Sequence, residues 1–278
     1  MTGKERIQKA FKNIVVDQTP WVPFVGAHGA FLTDKPADEY LKSAQNMFEG
    51  INKAIEHYLP DGIPVCFDLQ IEAEALGCQL KWSAENPPAV MSHPLEGGKN
   101  YNILPDMNSS SGRIPVLIEL TERTRLAHPD IALYGLITGP FTLALHLLGT
   151  DIFMKMFEDP DYVHRLLQYA STISMKMADW YLEAGCDVIA VVDPMTSQIG
   201  PDQFEQFIHE PVSAVFSHIR DAGGLSSFFV CGQAQQNIDV MCKTGPDNVS
   251  IDENIPLDFV RDTCRRYGIS FGGNLQLT

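Results

Sequence analysis

The chain has 278 residues, 45% of them hydrophobic and 20% charged, which is typical of a globular protein with a sizeable core. Its formal net charge of -15 argues against nucleic acid or an anionic membrane as the main partner, because both need concentrated Lys and Arg. No signal peptide or membrane-spanning run is visible, and the six cysteines form no CxxC pair. We therefore expect a soluble, cytoplasmic protein with reduced thiols.

Short apolar runs alternate with amphipathic helices along the chain. Thr2 and Glu5 have the spacing of a capping box, which predicts a first helix reaching about residue 12. Seven runs rich in Val, Ile and Phe and bounded by Gly, Pro or Asp predict parallel strands. These runs are Val22–Gly26, Ile63–Leu69, Ile131–Ile137, Asp187–Val192, Ser226–Cys231, Val249–Asp252 and Ile269–Gly272.

Two later segments have helical periodicity, and one segment interrupts the pattern. Apolar residues recur on one face of 161–184 and of 202–220, and Pro211 predicts a kink in the second helix. The stretch 81–112 is rich in Pro, Asn, Ser and Gly, and predicts an excursion over the strand ends with a small hairpin.

Alternating strands and helices imply a parallel sheet with right-handed crossovers. The predicted fold class is α/β, a (β/α)₈ TIM-type barrel occupying 1–278 as one domain. Only seven strands are counted, and an eighth would follow Thr278. We therefore expect a barrel truncated before its last strand and helix, because exposed sheet edges are usually covered. A homodimer is the expected way to cover the edge.

In parallel barrels, the side chains that carry chemistry follow the carboxyl ends of the strands. The resulting candidates are predicted catalytic acids, substrate-binding residues and metal ligands. They are Asp68 and Asp193 as catalytic residues, His28, Thr138 and Asn274 as substrate-binding residues, and Cys231, Asp252 and Glu253 as metal ligands. A thiol, an imidazole and several acids at one mouth indicate a metal site.

Structural explanations compete with several of these roles. Asp68 is also suited to capping the following helix, and Thr138 to opening a turn and a helix. Asp193 precedes Pro194, a natural exit from a strand into a loop, so its structural and functional interpretations are about equally supported. Glu72 and Glu74 fit a helix start, where carboxylates are favoured by the dipole.

Cys231 is the best-supported candidate. A strand-end cysteine is often a small buried hydrophobe, but Gly232 allows a sharp turn that brings this sulfur to the mouth. No Lys or Arg adjoins it to lower its pKa, so metal ligation is favoured over a free nucleophilic thiolate. The other five cysteines are expected to be core or helix residues.

At these positions the sequence resembles the uroporphyrinogen decarboxylase superfamily over essentially its whole length. The similarity rests on the combination of several short motifs rather than on any single one. They are Phe67-Asp68-Leu69, Glu72-Ala73-Glu74-Ala75-Leu76-Gly77, Gly139-Pro140-Phe141-Thr142, Gly185-Cys186-Asp187-Val188-Ile189, Asp193-Pro194, Cys231-Gly232 and Gly273-Asn274-Leu275.

The resemblance implies one of two activities. True decarboxylases carry an Arg-Gln-Ala-Gly-Arg stretch that grips substrate carboxylates, whereas residues 25–30 here read Val-Gly-Ala-His-Gly-Ala. Bidentate arginine pairing is the expected way to hold a tetrapyrrole with eight carboxylates. The absence of arginine in this stretch therefore counts against porphyrin decarboxylation.

The other branch contains zinc-dependent methyltransferases that work with corrinoid proteins. Their pattern is His-X-Cys on strand 5 with a second Cys near strand 8. Here Cys231 matches the first Cys, Phe229 stands at the histidine position, and the second Cys would lie beyond Thr278. Asp252 or Glu253 resembles the acidic ligand of this branch, and His28 or Asp193 are alternative ligands. Members that demethylate methyl ethers have varied ligand sets.

This branch implies methyl transfer between a small methylated substrate or thiol and a cobalamin carried by a partner protein, assisted by zinc as a Lewis acid. Two alternatives stay open. One is a decarboxylase in which Asp68 stabilises a protonated intermediate, as the matched aspartate does in true decarboxylases. The other is a non-catalytic, truncated barrel.

Overall fold

A computed structural model describes residues 1–273 and 275. Within them lie eight β-strands, six of which form one sheet. The strands are β1 (Gly62–Pro64), β2 (Leu80–Lys81), β3 (Ala89–Val90), β4 (Ala132–Thr138), β5 (Val188–Val192), β6 (Leu225–Val230), β7 (Asn248–Ile251) and β8 (Ser270–Gly272). The main sheet has the order β1-β4-β5-β6-β7-β8, and all of its pairs are parallel.

Helices connect the strands. In the described residues they are α1 (Gly3–Phe11), α2 (His28–Leu32), α3 (Ala37–Tyr40), α4 (Ala44–Tyr58), α5 (Ile71–Ala75), α6 (Ile114–Ala127), α7 (Pro140–Leu148), α8 (Asp151–Glu158), α9 (Pro160–Glu183), α10 (Pro201–Gln203), α11 (His209–Asp221), α12 (Ile238–Lys243) and α13 (Leu257–Tyr267). Three 3₁₀ turns cover Tyr101–Ile103, Pro194–Gln198 and Gln235–Asn237. None of the helices in this part of the chain is long and apolar enough to cross a bilayer.

The expected α/β barrel-type fold is confirmed, and its parallel sheet has six strands among the described residues instead of the predicted seven. The predicted first strand, Val22–Gly26, has no ladder partner. Pro20 and Pro23 explain the difference, because each lacks the N–H that a sheet ladder needs. The segment instead runs beside β1, where the Asp61 and Gly62 amides donate to Trp21 O over 2.9 and 3.4 Å.

The two faces of the sheet bury different side chains, because successive residues of a strand point to opposite sides. One face packs against the helical layer and includes Ile137, Val191 and Phe228. The inner face carries alternate residues such as Tyr134 and Phe229, on which α1 and the 22–24 segment pack. The curled sheet therefore has an inner face whose carboxyl-terminal rim is the expected place for a site.

Helix α1 bridges the two edges of the sheet. It contacts β1 and β4 near one edge and β8 at the other. Thr2 and Glu5 form the predicted capping box at its start, and Asn13, just beyond its end, donates to Gly268 O over 2.8 Å. A single helix can reach both edge strands only because the sheet curls, as it does in a barrel.

Other local predictions are confirmed with one refinement. The helix predicted at 161–184 is α9, and the excursion contains the β2–β3 hairpin. The segment 202–220 is divided by a π-helical turn at Phe204–Ile208 before α11 begins. Pro211 lies just after this turn, and its missing N–H explains why the regular α-helical bonding is interrupted there.

Candidate active site

Asp68 lies in the loop between β1 and α5, where a buried arginine holds it. Its side chain has 0% exposure, and Arg113 Nη1 donates to its Oδ2 over 2.7 Å. Arg113 also donates from Nε to Glu74 Oε2 over 2.6 Å, and its guanidinium lies 4.7 Å from the centre of the Trp82 ring. Arg113 thus neutralises two acids, and Asp68 is shielded from solvent.

Thr138 ends β4 and is paired with Glu72 rather than open to a substrate. Its amide donates to Glu72 Oε1 over 2.8 Å, and its hydroxyl lies 2.7 Å from Glu72 Oε2. Both residues are buried. Burial raises the pKa of the Glu72 carboxyl to about 7, although the bonds from Thr138 act in the opposite direction.

Asp193 follows β5 and caps a helix that lies elsewhere in the sequence. Because Val192 faces inward, Asp193 points to the helical layer, where it accepts from the amides of Phe141 (3.1 Å) and Thr142 (2.8 Å) and from the Thr142 hydroxyl (2.6 Å). Its exposure is 0%, and this burial raises its pKa to about 6 against the lowering effect of those bonds. Its contacts are those of an N-cap for α7.

Cys231 and Asp252 are neighbours at the rim, because Val230 and Ile251 pair in the sheet. Cys231 is half-buried, and its thiol packs against the inner-face cluster. Burial raises its pKa to about 12, with further contributions from the negative charges of Asp252 and Glu253. The free thiol is therefore protonated at neutral pH, which argues against a free nucleophilic thiolate.

The three predicted metal ligands do not form a coordination cluster. Asp252 accepts from the Gly232 amide (2.6 Å) and from the backbone and side-chain nitrogens of Asn254 (3.0 and 2.8 Å), while Glu253 is exposed. Across residues 1–273, no three His, Cys, Asp or Glu side chains are placed to hold a metal ion. The described residues around Cys231 therefore do not by themselves fit a zinc site.

His28 is the remaining predicted site residue that the structure describes. His28 begins α2, is exposed, contacts the Tyr58 hydroxyl over 2.6 Å and stacks on Phe31. It makes no hydrogen bond to another predicted site residue within the described chain. Asn274 lies outside the described residues, and its substrate-binding role stays a prediction.

Aromatic side chains line the inner face below Cys231. Phe24 packs edge-on against Phe67, Tyr134 and Phe229, with ring centres 5.7, 6.5 and 5.3 Å apart. Phe229, at the position of the superfamily histidine, is 5% exposed and belongs to this apolar packing. These rings form an aromatic wall beside the half-buried thiol, and such a surface favours contact with a small apolar group.

Sequence reasoning missed two features of the inner face and rim. The first is Arg113, a lone arginine at the end of the Gly- and Ser-rich excursion, whose partner Asp68 is 45 residues away. The second is a polar network on β6–β8, in which Asn248 bonds to Ser227 (2.9 Å), Ser250 (2.7 Å) and Ser270 (3.0 Å). Polar residues inside otherwise apolar strands were the available signal for this network.

The fold and the rim define an α/β protein of the barrel type with its candidate site at the carboxyl ends of the strands. A profile of the uroporphyrinogen decarboxylase family matches residues 2–276, so the chain belongs to that family.

Relatives of two activities are found within it. The methylcobamide:CoM methyltransferase MtbA of Methanosarcina acetivorans is 25% identical over 94% of this chain and 79% of its own length, and MtaA of Methanosarcina barkeri is 26% identical over 91% and 76%. A uroporphyrinogen decarboxylase of Francisella philomiragia is 24% identical over 74% of this chain and 62% of its own. The structure of a methyltransferase from Methanosarcina mazei superposes with a TM-score of 0.91 at 24% identity, covering 99% of this chain and 83% of that one, which confirms the fold.

Proposed function

We propose that this protein transfers a methyl group between a corrinoid carried by a partner protein and a small thiol or methylated substrate. The observation that carries the proposal is Cys231, a half-buried thiol at the carboxyl end of β6 beside an aromatic wall. The methyltransferase relatives support it, since they align with more than nine-tenths of the chain. Demethylation of a methyl ether is the variant of this reaction that starts from a methylated substrate.

The charges around the site favour methyl transfer over decarboxylation of a polycarboxylate. Such a substrate needs free guanidinium or ammonium groups to pair with its carboxylates. The buried Arg113 is already engaged by Asp68 and Glu74. In the described residues, Arg6, at the opposite end of the inner face, is likewise engaged by Asp17 and Asp61. An already acidic rim of this kind would repel a polyanion.

With methylcobalamin as donor and a thiol as acceptor, the bonds and electrons of the reaction balance. The cobalt–carbon bond breaks, a sulfur–carbon bond forms, the electron pair of the broken bond stays on the corrinoid, and the thiol proton is released. The protein's part is to hold the acceptor against the aromatic wall and to leave the rim open to the corrinoid domain.

Zinc enters the proposal only through Cys231. The superfamily resemblance implies a zinc ion, which would supply Lewis-acid activation of the thiol or ether. Because the described residues do not bring three donors together for a metal ion, no step is assigned to the metal. A cytoplasmic location and a homodimer also stay predictions.

Incubation with methylcobalamin and a panel of thiols, including coenzyme M, tests the proposal through the visible absorption of the corrinoid. Demethylation should depend on a thiol and fall at least tenfold in Cys231→Ala, with Cys242→Ala as the matched buried-thiol control. Elemental analysis after zinc supplementation tests the metal separately, and any bound zinc that depends on this thiol should be lost in Cys231→Ala and kept in Cys242→Ala. Release of CO₂ from uroporphyrinogen without any demethylation of methylcobalamin would instead establish the decarboxylase alternative.

A further inference from the structure

We propose that Glu72 is a positioning residue, held as an uncharged carboxylic acid that fastens helix α5 to the end of strand β4. Glu72 lies in α5, directly after the loop that carries Asp68, and Thr138 is the last residue of β4. The hydrogen bonds between Glu72 and Thr138 therefore hold the Asp68 loop against the rim of the sheet. The proposal does not depend on which reaction the protein catalyses.

Counting hydrogens supports the uncharged state. The Thr138 hydroxyl has a single hydrogen, yet it lies 2.7 Å from Glu72 Oε2 and 2.9 Å from the carbonyl oxygen of Leu69. A carbonyl oxygen can only accept, so an ionised Glu72 would compete with Leu69 for that hydrogen. A protonated Glu72 instead donates to the hydroxyl, which donates to Leu69, while Oε1 accepts from the Thr138 amide over 2.8 Å. All three contacts are then satisfied together.

The surroundings offer no charge to stabilise an ionised Glu72. The residue is 1% exposed, and none of the described Lys, Arg or His side chains forms an ion pair with it. A buried carboxylate without a cationic partner is strongly disfavoured relative to its neutral form.

The ionisable groups around Glu72 also disfavour its ionised form. Asp68 is an anion that opposes a second charge, and Arg113 is committed to Asp68 and Glu74. Cys66, after β1, and Tyr181, on α9, also face this region. Both stay uncharged at neutral pH because burial raises the pKa of Cys66 to about 12 and that of Tyr181 well above its usual range.

The test is Glu72→Gln, because a glutamine amide reproduces the neutral acid: its oxygen accepts from the Thr138 amide and its NH₂ donates to the hydroxyl. Glu74→Gln is the matched control two residues along the same helix, since Glu74 pairs with Arg113 as an anion. Urea midpoints should be equal for native protein and Glu72→Gln at pH 5, whereas Glu74→Gln should be lower. As the pH rises from 5 to 8.5, the native midpoint should fall below that of Glu72→Gln.

A spectroscopic measurement makes the proposal testable even if the variant folds poorly. In protein labelled with ¹³C at glutamate side-chain carboxyls, one resonance should titrate near pH 7 in the native protein. It should be missing from Glu72→Gln, and Asp193 cannot contribute because aspartate is unlabelled. Glutamate resonances that all titrate below pH 5.5, or a Glu72→Gln midpoint as low at pH 5 as that of Glu74→Gln, would overturn the proposal.

Discussion

Replacing Asp193 by alanine separates a capping role from the catalytic role predicted from the sequence. The carboxylate accepts from two amides at the start of α7 and from the Thr142 hydroxyl, all in a fully buried environment. Each orphaned buried donor costs about 1–3 kcal/mol, and an N-cap is worth roughly 1–2 kcal/mol. Removing a buried charge offsets part of this, so we expect a loss of about 3–5 kcal/mol.

Urea denaturation followed by circular dichroism measures this loss, with the exposed Asp202→Ala as control, which should change stability by less than about 0.5 kcal/mol. An unchanged free energy of unfolding for Asp193→Ala would refute the capping argument. A large fall in methyl transfer by that normally stable variant would then support catalysis by Asp193.

The pH dependence of stability gives a second check on Asp193. Its pKa is raised in the folded state to about 6, from an ordinary value of 3.8. The folded protein therefore binds the proton more tightly, and this group's contribution to stability is complete below pH 3.8 and lost as the pH rises through 6. By linkage, it is worth roughly 3 kcal/mol. Asp193→Asn should remove this decline, whereas an unchanged decline would mean that another group causes it.

Three further outcomes follow from the packing and charges described above. Gly139→Ala should destabilise the protein by several kcal/mol, as measured by urea denaturation, because its new Cβ would clash with the Cβ of Asp193. Arg113→Met should lower the unfolding free energy by about 3–5 kcal/mol, since it leaves the buried Asp68 unpaired. With iodoacetamide and peptide mass mapping at pH 8, Cys231 should be labelled before the five buried cysteines, yet roughly 10³-fold more slowly than free cysteine because its pKa is about 12.

Each of these measurements has its own control. Gly200→Ala should be tolerated, because only the flexible end of Gln203 lies near the new methyl group. Arg261→Met should leave stability unchanged, since its pair with Asp262 is exposed. Fast labelling of Cys231 at pH 7 would contradict the protonated thiol and indicate an activating group.

The sequence was a good guide wherever local pattern decides structure. The apolar runs predicted the bounds of β4, β5 and β6 to within about two residues, because strands buried on both faces consist largely of apolar residues. It was misleading at Val22–Gly26, where composition favours a strand but Pro23 within the run and Pro20 just before it prevent pairing. Periodicity also missed the π-helical turn before Pro211, since a single extra residue hardly disturbs the apolar pattern.

The candidate site was harder to predict because its contacts join distant residues. Strand-end logic correctly placed Cys231 and Asp252 side by side. It could not show that Asp193 caps α7, 51 residues earlier, or that Asp68 pairs with Arg113. Alternation along β5 turns Asp193 towards the helical layer, but which distant residue meets it there is decided by tertiary packing.

Helix α1 gives the sheet a mechanical property that its strand order alone would not. An open sheet can lose strands one at a time from either edge, but here the first and last strands contact the same helix. Detaching β8 therefore also disturbs the packing of α1 on β1 and β4, so the loss of one edge strand destabilises the other edge. Hydrogen exchange should accordingly find that the amides of both edge strands open as one cooperative unit, because α1 packs against both edges.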